Sequence, residues 1–430
     1  MKRATGRAAA SFLLFLVLVL GCSSQTPLPT SSATPPGSVS PAPTQSAPVP
    51  GSASPAPSAS TPAPAIWEVT AVAPMLRSRD GFRVSVLGDD TILVVGDDEA
   101  CHPGGASPGS ETSERYDAVA NEWSIAASLN NPRKDFAMVP APNGGVMVIG
   151  GVNAADQPFS STKRFDLDMG FWVDGPLLNR AYGDPSAVTV EDGRIYVLGP
   201  TIPDETNTTS TVEILAPGRN GWDDGGRLEG VTVRDVVGLN DRRVAALGTI
   251  FESPDAVLVH HSGGAEGGWK GLALTGFDLV ERIVAIRGGG LLAFGSMHDP
   301  ATGEASPLPA RRHDPATDRW VETGPMSAPR SEALITTLAD GRVLVAGGVV
   351  GPPRDASQSE IVKSSEIYDP RTDAWIAGPN LLEIRADGQA VTLNDGSVLV
   401  MGGLNTRNVA GDTPFCTERL TSVERLTPAP

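Results

Sequence analysis

Seven tryptophans, Trp67, Trp123, Trp172, Trp222, Trp269, Trp320 and Trp375, divide the 430-residue chain at intervals of 47 to 56 residues. A second marker keeps the same beat. Apolar runs end in glycine at Gly96, Gly150, Gly199, Gly248, Gly295, Gly347 and Gly402, 47 to 55 residues apart. Two unrelated residue types sharing one period seven times define a repeat, and a repeat of this length is a supersecondary unit that buries its faces only against its own copies. The chain is therefore expected to fold as an array of like modules.

The module is legible in residues 389–403, Gln-Ala-Val-Thr-Leu-Asn-Asp-Gly-Ser-Val-Leu-Val-Met-Gly-Gly. A short apolar strand reaches Asp395-Gly396, a dipeptide favoured where a hairpin turn needs positive φ. A second, continuously apolar strand ends in two glycines. Asn143-Gly144, Asp192-Gly193 and Asp340-Gly341 mark the same turn elsewhere. A third strand carries Ser-Glu-Ile-Tyr-Asp at 365–369 and a fourth begins at Trp375. A bulky residue stands seven before the tryptophan in five repeats, at Tyr116, Phe165, Leu215, His313 and Tyr368. Each unit thus reads as a four-stranded meander. With 48 glycines, 38 prolines and only 19% charged residues, the composition also fits a turn-rich all-β chain.

This pattern of hydrophobic run, double glycine, Tyr-Asp and Trp resembles kelch repeats, and the resemblance covers residues 66–428. Repeats 2 and 6 match best, at Gly150-Gly151 and Gly347-Gly348. Repeats 3, 4 and 5 replace the second glycine with Pro200, Thr249 and Ser296, and repeat 4 has Val259-His260-His261 where the aromatic–Asp pair belongs. The resemblance implies an all-β, seven-bladed kelch-type β-propeller over 66–430. The seventh glycine run is followed by a third strand near 422–426 and by no tryptophan, whereas Trp67 stands alone before the first complete unit. The expectation is that the N-terminal strand at 66–70 closes the last blade, protecting edges otherwise left open.

The segment before the repeats is different. Lys2, Arg3 and Arg7 precede an apolar run from Phe12 to Leu20, too short for the about 20 residues a bilayer span needs, so residues 1–21 read as a secretion signal. Val19-Leu20-Gly21-Cys22 resembles the bacterial lipobox, which implies lipidation at Cys22. Residues 22–65, rich in Pro, Ser and Ala and free of charge, read as a disordered stalk. The expected location is extracytoplasmic, lipid-anchored to the cell membrane or cell surface of a bacterium, with membrane contact through the Cys22 lipid only. Cys101 and Cys416 lie in the loop after the second strand of blades 1 and 7, which ring closure makes neighbours. In an exported protein a Cys101–Cys416 disulfide is expected there.

A formal charge of −17, more negative still once the leader cations are removed, excludes phosphate-driven nucleic-acid binding. Chemistry finds little support. The galactose-oxidase-like branch of kelch propellers implies copper held by two tyrosines and two histidines, with one tyrosine joined to cysteine. This chain has four tyrosines, and Tyr116 and Tyr368 fill repeat positions. His260-His261, His298-Asp299 and Asp97-Asp98-Glu99 lack a repeated partner, so no metal, cofactor or catalytic residue is assigned and the chain reads as no enzyme.

Loop length directs attention to one face. The connections between strands 1–2 and 3–4 are short, while the 2–3 loops (about 97–112, 152–161, 200–210, 297–309, 349–363 and 404–420) are long, and long loops on a rigid scaffold carry binding. Arg77, Arg133, Arg330 and Arg385 each lie ten residues after their tryptophan, in the 4–1 link on that same face; Arg180 and Arg234 lie eight and twelve after theirs. These guanidiniums could ring a tunnel mouth and take carboxylates. Alternatively, a residue repeated at a blade position serves the blade by bonding loop carbonyls. The function expected is a lipid-anchored extracytoplasmic binding module for a protein or carbohydrate, monomeric, with Arg77, Arg133, Arg180, Arg330 and Arg385 as ligand candidates. The alternatives are a secreted oxidase or glycan-processing enzyme, and a structural envelope protein without a discrete site.

Overall fold

The computed structural model describes residues 67–79, 81–96, 110–200, 209–239, 242–250, 256–260, 268–272, 274, 279–298, 305–307, 310–317, 319–324, 326–328, 330–351, 360–405 and 419–429. Regular structure among them is entirely β. Cys22, Cys101 and Cys416 lie outside the described residues.

The strands group into antiparallel sheets that follow one another along the chain. In the first sheet, Arg83–Val86, Ile92–Val95, Ser113–Asp117 and Glu122–Ala126 pair in sequence order. The second sheet repeats this with Ala137–Pro140, Val146–Ile149, Thr162–Asp166 and Phe171–Asp174, and the third with Ser186–Thr189, Ile195–Pro200, Ser210–Leu215 and Asp223–Leu228. The fourth uses Val231–Gly238, Val244–Ile250, Ala256–His260 and Trp269–Leu272. The first strand of each sheet touches that of the next, and Gln389–Thr392 touches both Leu334–Thr337 and Arg83–Val86. The sheets therefore stand around a common axis as a β-propeller.

The expectation of seven four-stranded blades is corrected to six four-stranded blades. Six sheets are four-stranded blades, and the sheet over 279–322 has five strands. There the second strand, Gly290–His298, outgrows its counterparts. Its tail pairs with Ala305–Pro307 in the register Ser296↔Pro307 and His298↔Ala305, before Arg311–Asp314 and Arg319–Glu322 complete the sheet. Part of the long 2–3 connection is thus drawn into the sheet. In the following blade (Leu334–Thr337, Val343–Ala346, Ser365–Asp369, Ala374–Ala377) the same connection forms a separate ribbon, Val349–Val350 against Glu360–Ile361.

The last blade joins both ends of the propeller. Gln389–Thr392, Val398–Met401 and Val423–Pro428 are completed by Trp67–Val72. The register runs from Trp67↔Pro428 to Val72↔Val423, so the N-terminal strand closes this sheet.

The repeat markers have separate physical duties. Second strands such as Ile92–Val95, Val146–Ile149, Val343–Ala346 and Val398–Met401 are buried at every residue, because neighbouring sheets cover both faces and leave no solvent side to alternate with. The tryptophans reach backward. The indole N–H groups of Trp123, Trp172 and Trp222 donate to the carbonyls of Ala73, Ala127 and Pro176, at 2.8, 2.8 and 3.0 Å, each on the preceding outer strand or its exit. The rings of Trp123, Trp172, Trp320 and Trp375 pack on the ring seven residues before them, with centroid separations from 5.0 Å for Tyr116–Trp123 to 5.3 Å for Phe165–Trp172 and His313–Trp320.

Candidate binding site at the mouth of the ring

Each outer strand returns to the next inner strand through a 4–1 link, and the 2–3 connections emerge on the same face. What fixes these links is an arginine standing 17 residues before the glycine that ends the next buried run. Arg133 donates to the Gly150 carbonyl at 2.9 Å, Arg330 to that of Gly347 at 3.1 Å and Arg385 to that of Gly402 at 2.8 Å. Arg79 makes the same bond to Gly96. Three of the four also hold a glutamate on the third strand: Arg79–Glu114 at 2.8 Å, Arg330–Glu366 at 3.0 Å and Arg385–Glu424 at 2.8 Å. These glutamates accept backbone N–H groups of the link as well, from Leu76, Ser327 and Leu382. Strand, loop and link are thereby tied at one ion pair.

Arg133 has Lys163 where a glutamate would stand. It bonds the Ser161 hydroxyl at 3.2 Å and lies over the Phe159 ring at 4.5 Å. Without a counter-ion, burial pushes its guanidinium down to about 10. In the third sheet Tyr182 takes the arginine position, its hydroxyl 2.8 Å from that of Thr211 and 3.2 Å from Glu213.

The arginines read from sequence therefore separate into two groups. Arg133, Arg330 and Arg385 are buried in the frame. Arg77 is exposed, and Arg180 lies 3.7 Å from Asp224 with only its backbone N–H on the Glu213 carboxylate. Counting ten from tryptophan missed Arg79, whose link is two residues longer, and passed over Tyr182, ten after Trp172, because it is not an arginine. Counting 17 back from the glycine finds both.

Two residues further along, the chain turns into the inner strand and presents acid. Asp135, Asp184, Glu332 and Asp387 each stand 15 residues before a run-ending glycine, and all four are exposed at the mouth of the ring. Asp135, Glu332 and Asp387 adopt φ of 54°, 53° and 53°, a left-handed conformation that Asp tolerates better than most residues. The Asp387 N–H donates to the Glu332 carbonyl at 3.0 Å, linking neighbouring sheets at this level. One layer deeper, the positions opposite the last residue of the buried run hold Arg83, Asp235 and Arg282.

These groups feel one another across the ring. Burial lowers the Arg83 guanidinium, against the opposing pull of Asp184, Asp135 and Asp387. Asp184 keeps solvent contact, yet the surrounding walls of the mouth partly desolvate it and raise its carboxyl, and neighbouring Asp135 raises it further. Asp235 is raised by burial despite Arg282. The mouth is therefore a circle of four exposed acidic residues over Arg83 and Arg282. Its signal in the sequence was a constant offset, 15 before the glycine and equally 12 after Trp123, Trp172, Trp320 and Trp375, which a search confined to arginines passed over.

The tyrosines do not assemble a copper site. Tyr116 donates to Asn121 at 2.8 Å, Tyr368 to Asp373 at 2.5 Å and Tyr182 lies within the Thr211–Glu213 network, so they are spent in three separate places. Tyr196 is buried within the third sheet. Among the described residues no group of three or more His, Cys, Asp or Glu side chains is arranged to hold a metal ion.

No family model matches the chain. Curated relatives carry kelch names. Kelch-like protein terF of Aspergillus terreus is 30% identical over 113 residues, 26% of this chain and 24% of that protein. Kelch-like protein 15 of Danio rerio is 24% identical over 287 residues, 64% of this chain and 39% of that protein. The chain thus spans well under half the length of these relatives. Among solved structures, a fungal alcohol oxidase of the AA5 family in complex with copper superposes with a TM-score of 0.60 at 15% identity, covering 85% of this chain and 76% of that one. At that identity the likeness is one of fold.

Proposed function

Since the chain is a β-propeller of kelch repeats, we propose that it is a protein-binding module receiving its partner on the face of the 4–1 links and 2–3 connections, with a basic side chain of the partner entering the mouth of the ring. The observation that carries this reading is the circle of Asp135, Asp184, Glu332 and Asp387, four exposed carboxylates delivered by four sheets at equivalent positions. Burial and the neighbouring Asp135 both disfavour the Asp184 charge, and a cation placed among these groups offsets that. The chain's charge of −17 draws a basic partner toward that face over a distance set by ionic strength. Arg77 and Arg180, on the same links but outside the circle, are proposed as peripheral contacts.

The test is binding of the full chain to an array of peptides that differ in lysine and arginine content, with Asp135→Asn, Asp184→Asn and Asp387→Asn combined as the variant. Asparagine keeps the size of each side chain and tolerates left-handed φ. Binding that prefers basic peptides, weakens with salt and falls in the variant supports the proposal. An equally strong profile from the folded variant refutes it. Lipid attachment at Cys22 and a Cys101–Cys416 bridge are proposed on sequence grounds, and an intact mass of the membrane-extracted protein, before and after reduction, reads both.

A further inference from the structure

On the opposite face, where the short turns lie, a cleft of about 370 Å³ opens between the second and third sheets, a volume in the range of small-molecule sites. Its floor is apolar, made by Met147, Ile195 and Leu215, and Arg164, Arg219 and Asn220 line it as well. One substitution within the repeat falls at this cleft. Where other sheets place Tyr116, Phe165, His313 or Tyr368 against the tryptophan, the third sheet has Leu215, seven before Trp222. A six-membered ring and, in the tyrosine sheets, its hydroxyl are missing.

At the sequence offset of that hydroxyl's partner the third sheet has a polar residue, Asn220, which lines the cleft. In the first and sixth sheets the tyrosine donates to the residue five further on, Asn121 at 2.8 Å and Asp373 at 2.5 Å. The second sheet, with Phe165, has Gly170 at that place, so ring hydroxyl and acceptor are lost together. The third sheet keeps Asn220 but has no hydroxyl to meet it.

The charges around the cleft favour an anion. Arg164 has its nearest carboxylate oxygen on Asp166 at 3.8 Å, and Arg219 on Asp223 at 4.0 Å, both at the edge of ion-pair distance. Asp174, which also lines the cleft, is bonded by the Lys163 ammonium at 2.6 Å and adds little negative field.

We infer that this cleft is a binding site for a small phenolic carboxylate, whose ring lies over Leu215 in the space that a tyrosine fills in other sheets, whose hydroxyl meets the Asn220 side chain and whose carboxylate is held by Arg164 and Arg219. The site is independent of the mouth of the ring and stands or falls separately from it.

The experiment is calorimetric titration of the full chain with 4-hydroxyphenylacetate, repeated with phenylacetate. Saturable 1:1 binding is expected, weaker for phenylacetate. Arg164→Ala combined with Arg219→Ala, the first half-buried and the second exposed, removes the charge-assisted bonds to the carboxylate and lowers affinity about tenfold or more. Leu215→Tyr fills the cleft with the ring found in other sheets and abolishes binding, while thermal unfolding shows the fold retained. Absence of saturable binding overturns the proposal, as does undiminished affinity in either variant.

Discussion

Arg385 shows how a charge can be buried in this molecule without being idle. Its guanidinium meets the Gly402 carbonyl, the Ser422 hydroxyl and the Glu424 carboxylate, and Glu424 in turn accepts the link N–H groups of Leu382 and Glu383. Breaking such a pair from one side strands the other charge, which is where most of the cost arises. Arg385→Ala is expected to destabilise the propeller by about 3–5 kcal/mol, the magnitude typical of a broken buried pair. Arg133→Ala leaves no buried carboxylate behind and is expected to cost only the about 1–3 kcal/mol of unsatisfied carbonyls. Urea unfolding of the two variants side by side checks the ranking, and equal losses would show that the glutamate is not part of the strut.

At the scale of an element, the double glycine is the joint between one sheet and the next. The N–H groups of Gly151, Gly348 and Gly403 donate to the carbonyls of Tyr182, Arg385 and Arg79, all strut residues of the following link, at 3.0, 2.8 and 2.9 Å. The glycine before each has a φ near +60° and lies so close to the same carbonyl that a Cβ on Gly347 would stand 2.4 Å from the Arg385 oxygen. Gly347→Ala therefore combines a left-handed backbone with a clash against main chain. Its expected cost is at least about 2 kcal/mol, read as a shift in the urea midpoint; a variant of native stability would contradict the joint. The glycine pair itself was plain in the sequence, as were the buried second strands and the Asp-Gly turns, because each depends on a local pattern of apolarity or φ. Which arginine reaches which carbonyl was not, since link length varies and only the glycine offset is constant. The extra strand Ala305–Pro307 was hidden for another reason: no periodic signal distinguishes a loop that folds back from one that does not.

For the whole molecule, closure was legible because Trp67 had no preceding repeat and the last repeat had no tryptophan. The registry Trp67↔Pro428 to Val72↔Val423 meets that expectation, and it leaves the last sheet dependent on residues more than 350 positions apart in sequence. The mouth carboxylates owe their meeting to the same closure, because Arg83 of the first sheet and Asp387 of the last interact only across the joined ends. Hydrogen–deuterium exchange of the peptide covering residues 67–72 tests this most directly. Closure predicts protection of its ladder amides equal to that of residues 423–428, whereas complete exchange at the shortest labelling time, with 423–428 still protected, would contradict it.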